Sequence, residues 1–183
     1  MSRVGQAERT TQDRVVKLFV DKLGYEYLGN LQDKEGNKNV ETRLLRKYLR
    51  RRGYSDKLIE RALYQLNKAV GNQSEGLYHV NKQVYGLLRY GIEVRENIGE
   101  NKQTVKLIDW KEPYNNDFYI AEEVTVKGQH TKRPDIVLYV NGIALGILEL
   151  KRSTVHVAKA IRQNLDNQKS EFIKPFFHTI QLI

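Results

Sequence analysis

The chain has 183 residues, no cysteine and a formal net charge of +9. That length suffices for one well-buried core, and the missing cysteines exclude disulfides and cysteine-ligated zinc, as befits a cytosolic protein. No apolar run is long enough to span a membrane and the first residues do not resemble a signal peptide, so the positive charge points to polyanions, nucleic acid foremost.

Residues 8–23 predict a helix, striped by Val15, Leu18, Phe19 and Leu23 and ended by Gly24. A polar loop over 29–39 follows, then two helices over 40–52 and 55–69 separated by Gly53. Leu58, Ile59, Ala62, Leu63 and Leu66 stripe the second of these. From Thr42 to Arg61 eight basic residues stand against Asp56 and Glu60. Leu44, Leu45, Tyr48 and Leu49 recur at helical spacing, which leaves Arg43, Arg46, Lys47 and Arg50 on the exposed side. They serve there either as a solvated helix face or as phosphate contacts whose binding would depend strongly on salt. Strand-like runs cover 84–89, 104–110 and 118–126, ahead of an apolar hairpin over 133–151. A helix over 157–169, with Ile161 and Leu165 inward, and an apolar strand over 176–183 close the chain. An apolar ending of that kind suggests a fragment whose parent continues.

The hairpin carries the chemistry. Asp135 stands where its first strand begins, and Glu149 and Lys151 stand where its second ends. Ionised groups gathered at one end of a buried hairpin are costly unless each finds a partner or a metal. Two carboxylates and a lysine suit a divalent cation and an activated water. Asn141-Gly142 is a strong turn signal, yet a strict two-residue loop pairs Asp135 with Leu148 and puts Asp135 and Glu149 on opposite faces. A three-residue loop with Gly142 left-handed sets Asp135 opposite Ile147, with Glu149 its diagonal neighbour at roughly 7–8 Å. Joint action of the charges therefore demands an odd loop or a bulge. A carboxylate, any residue and a lysine is also a common triplet: Glu100-Asn101-Lys102 and Asp109-Trp110-Lys111 share it. A surface ion pair at the strand ends is the competing reading.

Other chemistry finds no motif. Gly71 and Gly76 have phosphate-loop spacing, but Leu77 and Tyr78 follow where lysine and a hydroxyl are required. No Gly-x-Gly-x-x-Gly or Gly-x-Ser-x-Gly occurs. His79, His130, His156 and His178 are scattered without zinc spacing.

Asp135 and Glu149-Leu150-Lys151 on consecutive strands, in a helix–strand–strand–strand–helix–strand order, resemble the PD-(D/E)xK nuclease fold. More narrowly, the chain is similar to the N-terminal nuclease domain of the R subunit of type I restriction enzymes. The similarity runs through Val4-Gly5-Gln6-Ala7-Glu8-Arg9, Leu23-Gly24-Tyr25, Leu87-Leu88-Arg89-Tyr90-Gly91 and Leu107-Ile108-Asp109-Trp110. It continues through Ile120-Ala121-Glu122-Glu123-Val124-Thr125, the hairpin, and Ile161-Arg162-Gln163-Asn164-Leu165-Asp166-Asn167-Gln168.

The resemblance implies a single α/β domain over 1–183, with a restriction-endonuclease-like mixed sheet flanked by helices. A helical and strand insertion, about 25–117, separates the first helix from the core sheet. It implies a DNA endonuclease in which Asp135, Glu149 and the Leu150 carbonyl ligate Mg²⁺, for which Mn²⁺ can substitute. Lys151 would orient or activate the attacking water. Gln163 falls in register with a Gln-x-x-x-Tyr motif of related nucleases, although position 167 is Asn, and Gln168 is a competing choice. Glu8 would serve as an outer ligand, and Arg43, Arg46, Lys47 and Arg50 would contact DNA. Double-stranded DNA and the modification and specificity subunits are the implied partners, and ATP enters only through a motor region absent from this sequence. The rival reading is a non-catalytic DNA-binding or subunit-docking module with a structural Asp/Glu/Lys cluster.

Overall fold

The computed structural model describes residues 3–128, 130–150, 157–169 and 172–183, the side chains of 3–8, 157, 159 and 160 excepted. Helix α1 (Arg3–Leu23) leads into strand β1 (Glu26–Asn30), and helices α2 (Thr42–Arg51), α3 (Asp56–Val70) and α4 (Leu77–Tyr90) follow. Strands β2 (Ile92–Val94) and β3 (Gln103–Val105) form a small ribbon. Strands β4 (Phe118–Glu122), β5 (Ile136–Val140) and β6 (Ile143–Leu148) precede helix α5 (Val157–Asn167).

The result is an α/β fold with a mixed sheet flanked by helices. The sheet runs β1-β4-β5-β6, with β1 parallel to β4 and the remaining pairs antiparallel. Alternation gives it two apolar faces. Ile120 and Ile136 pack on Val16 of α1, with Phe19, Leu138 and Leu148 around them. Tyr119, Val137, Tyr139 and Ile147 turn the other way, onto Ile173, Phe176, Phe177 and Ile180. A separate core joins α2, α3, α4 and the small ribbon around Tyr48, Leu66 and Leu88, and Ile143 of the main sheet enters it. Among the described residues no helix is long and apolar enough to cross a membrane.

Helices α1, α2, α3 and α5 form where expected, and Ser55 caps α3 by accepting from the Leu58 N–H at 3.3 Å. The inward placement of Ile161 and Leu165 is corrected: both are more than half exposed, as are Leu18 and Leu23 of α1, and α5 buries Asn164 and Asn167 instead. Several expectations are corrected. Residues 84–89 lie in α4 rather than a strand: Val80, Val84 and Leu88 recur every four residues and are all buried. The run 104–110 holds only the end of β3, because Asp109 starts a turn in which its carboxylate accepts the Lys111 and Glu112 N–H groups at 3.2 and 3.0 Å. Strand β4 stops at Glu122 because Glu123 takes a φ of 50°, sparsely allowed for a residue with a side chain. The apolar end is no strand. Residues Lys174–His178 form a short 3-10 turn, and Leu182 alone bridges to Gly146. Side-chain amides hold the carbonyls a ladder would use: Asn39 donates to Pro175 at 2.9 Å and Asn81 to Ile180 at 2.8 Å. Strand β1, which sequence periodicity misses, pairs with β4, so its five residues belong to the main sheet rather than to the inserted segment.

The β5–β6 turn is tight because of its residues. Asn141 and Gly142 have φ of 53° and 85°, the two left-handed residues of a primed two-residue turn. A Cβ on Gly142 would lie 2.7 Å from Leu44 Cβ and 2.8 Å from the Glu41 carbonyl, so only glycine lets α2 start here.

Candidate active site

The parity question is answered by a two-residue loop and a bulge together. Val140 pairs with Ile143 and Tyr139 with Ala144, but Leu138 pairs with Gly146, which leaves Leu145 as the extra residue. Beyond the bulge the register is Ile136 with Leu148. Continued by one residue, it sets Asp135 directly across from Glu149. The three-residue loop and the Asp135–Ile147 pairing are therefore corrected, whereas the bulge the charges demanded is present. Both acids share the face of Val137 and Ile147, and both are partly buried.

Each carboxylate is fixed by a neighbour. Asp135 Oδ2 accepts the Leu150 N–H at 2.7 Å, which ties the start of β5 to the chain leaving β6. Glu149 Oε2 accepts from Gln163 Nε2 of α5 at 2.9 Å. Bonds of this kind hold each carboxylate in one orientation. Gln163 thus reaches the site, while Asn167 is buried and its backbone carbonyl accepts from the Ile173 N–H at 3.2 Å. Gln168 lines, with Glu149, Leu150, Ile161 and Asn164, a groove of about 470 Å³ beside β6. Lys151, His156 and the side chain of Glu8 lie outside the described residues.

A second group of acids, not singled out from sequence, supports the first. Gln12 of α1 is 3% exposed and its amide reaches three partners. It donates to Glu122 Oε1 at 2.9 Å, to Glu123 Oε1 at 3.1 Å and, more weakly, to the Asp135 carbonyl at 3.4 Å. That carbonyl also accepts the Glu123 N–H at 2.9 Å. Glu122 accepts from the Tyr27 hydroxyl, and Arg9 lies 3.6 Å from its carboxylate. Arg133 pairs with Glu123 at 2.7 Å. Burial first, and then the bond to Glu122, push the Tyr27 phenol up to about 12, so at neutral pH it is a donor. The signal for Gln12 was legible: it falls on the apolar stripe of Val15, Val16 and Phe19, where a polar residue needs partners. Gln12→Leu would strip donors from the buried Glu122, costing about 2–3 kcal/mol. The expected fall in thermal midpoint is roughly 5–10 °C; a shift within ~1 °C would remove Gln12 from this role.

The basic helix is not gathered here. The start of α2 lies against the turn end of the hairpin, Glu41 N–H donating to the Gly142 carbonyl at 2.7 Å. The acids stand at the other end of β5, roughly 17 Å away at ~3.4 Å per residue. Arg46 pairs with Glu60, and Arg50 with Asp56 at 2.8 Å, while Arg43 and Lys47 stay exposed. The two look-alike triplets have local duties: Glu100 holds the Asn97 amide at 2.6 Å and Lys102 pairs with Glu93 at 3.1 Å, while Asp109 pairs with Arg52 at 3.1 Å.

Among the described residues no group of three or more His, Cys, Asp and Glu is placed to hold a metal. The candidate donors are the two facing carboxylates and the backbone between them. An all-oxygen set of this kind fits a hard cation such as Mg²⁺, which uses few carboxylates and keeps several waters.

Similar proteins point one way. The family described as type I restriction enzyme R protein N terminus matches residues 5–183. A Methanocaldococcus jannaschii protein named "Putative type I restriction enzyme MjaVIIIP endonuclease subunit" is 32% identical over 102 residues, 54% of this chain and 9% of its own length. The "Type I restriction enzyme HindI endonuclease subunit" of Haemophilus influenzae is 31% identical over 110 residues, 56% of this chain and 10% of its own length. The matched stretches are thus about a tenth of these relatives' length. With nearly every residue inside the family match, the chain belongs to the type I restriction enzyme R protein N-terminus family.

Proposed function

We propose that residues 1–183 are a Mg²⁺-dependent endonuclease domain of a type I restriction R subunit, hydrolysing phosphodiester bonds of double-stranded DNA in the cytoplasm. The observation that supports this most is the bulged register that sets Asp135 across from Glu149 at one end of β5 and β6. Asp135, Glu149 and the Leu150 carbonyl would hold the cation. Bound there, it would lower the pKa of a water and neutralise charge on the scissile phosphate. Gln163 keeps the Glu149 carboxylate turned to the site through its 2.9 Å bond, and the Leu150 N–H does the same for Asp135 at 2.7 Å. Lys151 would orient the attacking water and stabilise the phosphate oxygens as negative charge grows. Modification and specificity subunits would choose the DNA, since a backbone site carries no sequence information.

The test is plasmid cleavage by the assembled enzyme carrying Lys151→Ala. Cleavage should be abolished while ATP hydrolysis continues. Cleavage at the parental rate would reject the catalytic reading in favour of a docking or DNA-binding module.

A further inference from the structure

Outside the candidate active site a groove of about 1340 Å³ opens in the helical lobe, beyond the ~300–1,000 Å³ of small-molecule clefts. One wall is the outer face of α3, where Arg61, Tyr64 and Lys68 follow one another at helical spacing. The other is the small ribbon, with Arg95 and Lys102, and Gln83 and Leu87 of α4 also line it. Two carboxylates line the groove and each is paired: Glu60 with Arg46 and Glu93 with Lys102. Arg61, Lys68 and Arg95 are exposed and, among the described residues, have no carboxylate within ion-pair distance. Tyr64, between Arg61 and Lys68 on α3, is 70% exposed. Unpaired cations spaced along a groove suit a chain of phosphates. A bare aromatic face among them suits an unpaired base, whereas a duplex keeps its bases stacked on one another.

We propose that this groove binds single-stranded DNA along its phosphates, with Tyr64 as a stacking platform. The choice of DNA rests on membership of a restriction-enzyme family; the groove itself stands apart from the metal site. Binding of a labelled oligodeoxynucleotide by the full chain is measured by fluorescence anisotropy in EDTA over a range of salt. Without divalent cation, the result does not depend on the nuclease reading.

Arg61→Glu/Lys68→Glu/Arg95→Glu should weaken binding at least about tenfold and reduce the salt slope by roughly 2, at ~0.7 for each phosphate no longer neutralised. Arg14→Glu/Lys17→Glu/Lys22→Glu, an equal charge change on exposed α1 positions, should cost much less. Tyr64→Ala should weaken single strands about fivefold or more and leave duplex binding unchanged. Melting curves check folding, and the single Arg61→Gln, Lys68→Gln and Arg95→Gln changes serve if the triple variant does not fold. Unchanged affinity in the groove variants, equal loss in the α1 variant, or preference for duplex or RNA would each overturn the assignment.

Discussion

Replacing Asp135 by alanine is expected to slow DNA cleavage by the assembled enzyme at least about a thousandfold, ~4 kcal/mol of transition-state stabilisation. The substitution removes the carboxylate just ahead of β5, which the β5–β6 register, carried one residue past Ile136 and Leu148, brings across from Glu149. It also leaves the Leu150 N–H without the acceptor it has at 2.7 Å, so some loss of order at the β6 exit accompanies the loss of charge. Asp135→Asn separates the two effects. The amide oxygen still accepts from Leu150, so the thermal midpoint should stay near the parental value, yet a neutral amide is a poor ligand for a hard cation and cleavage should remain lost. Parental cleavage by Asp135→Asn would mean that the charge has no part in the reaction.

The largest structural effect is expected at Asn141, at the opposite end of the same hairpin. This residue is fully buried and left-handed, and every polar group of its side chain is used. Its Oδ1 accepts the Asp117 N–H at 2.8 Å, and its Nδ2 donates to the Leu107 carbonyl at 2.9 Å and to Asn116 Oδ1 at 2.8 Å. Its own N–H donates to the Asp117 carbonyl at 2.7 Å. The turn is thereby fastened to the segment that joins the helical lobe to β4. Asn141→Ala leaves buried groups unpaired at ~1–3 kcal/mol each and puts alanine where φ is positive, a further ~1 kcal/mol. A total of about 3–6 kcal/mol should lower the thermal midpoint by roughly 10 °C or more. Asn141→Asp, which keeps the acceptor and tolerates the left-handed conformation, should lose less. A shift within ~2 °C for the alanine variant would contradict this role of the turn.

Much of the fold was legible in the sequence because local signals and tertiary packing agreed. The apolar stripes announced α2 and α3 and the inward part of α1, and Asn141-Gly142 announced the hairpin turn; α5 forms where expected, but its Ile161 and Leu165 face outward. Strand parity required either an odd loop or a bulge, and the structure has the bulge. Its location at Leu145 was not readable, since a bulge shows itself in the pairing of two strands and neither strand alone carries the mark. Where prediction failed, a longer-range interaction overrode a local preference. The run at 84–89 opens with the strand formers Val84 and Tyr85, but Val80, Val84 and Leu88 are buried in the lobe as one helical stripe. The closing segment has the apolarity of a strand, yet Asn39 and Asn81, far away in sequence, take its carbonyls. Gln12 stood out as a polar residue on its stripe, but its partners were hidden for the same reason: Asp135 lies 123 residues from it.

Everything proposed for the hairpin turns on whether Asp135 and Glu149 hold one cation between them. Crystals of the chain soaked in Mn²⁺ and measured for anomalous scattering ask this directly. An anomalous peak is expected within ligand distance of both carboxylates and the Leu150 carbonyl, and it should vanish in Asp135→Ala. Wild-type crystals with no peak between the two carboxylates at saturating Mn²⁺, or a peak that survives the substitution, would contradict the proposed metal site.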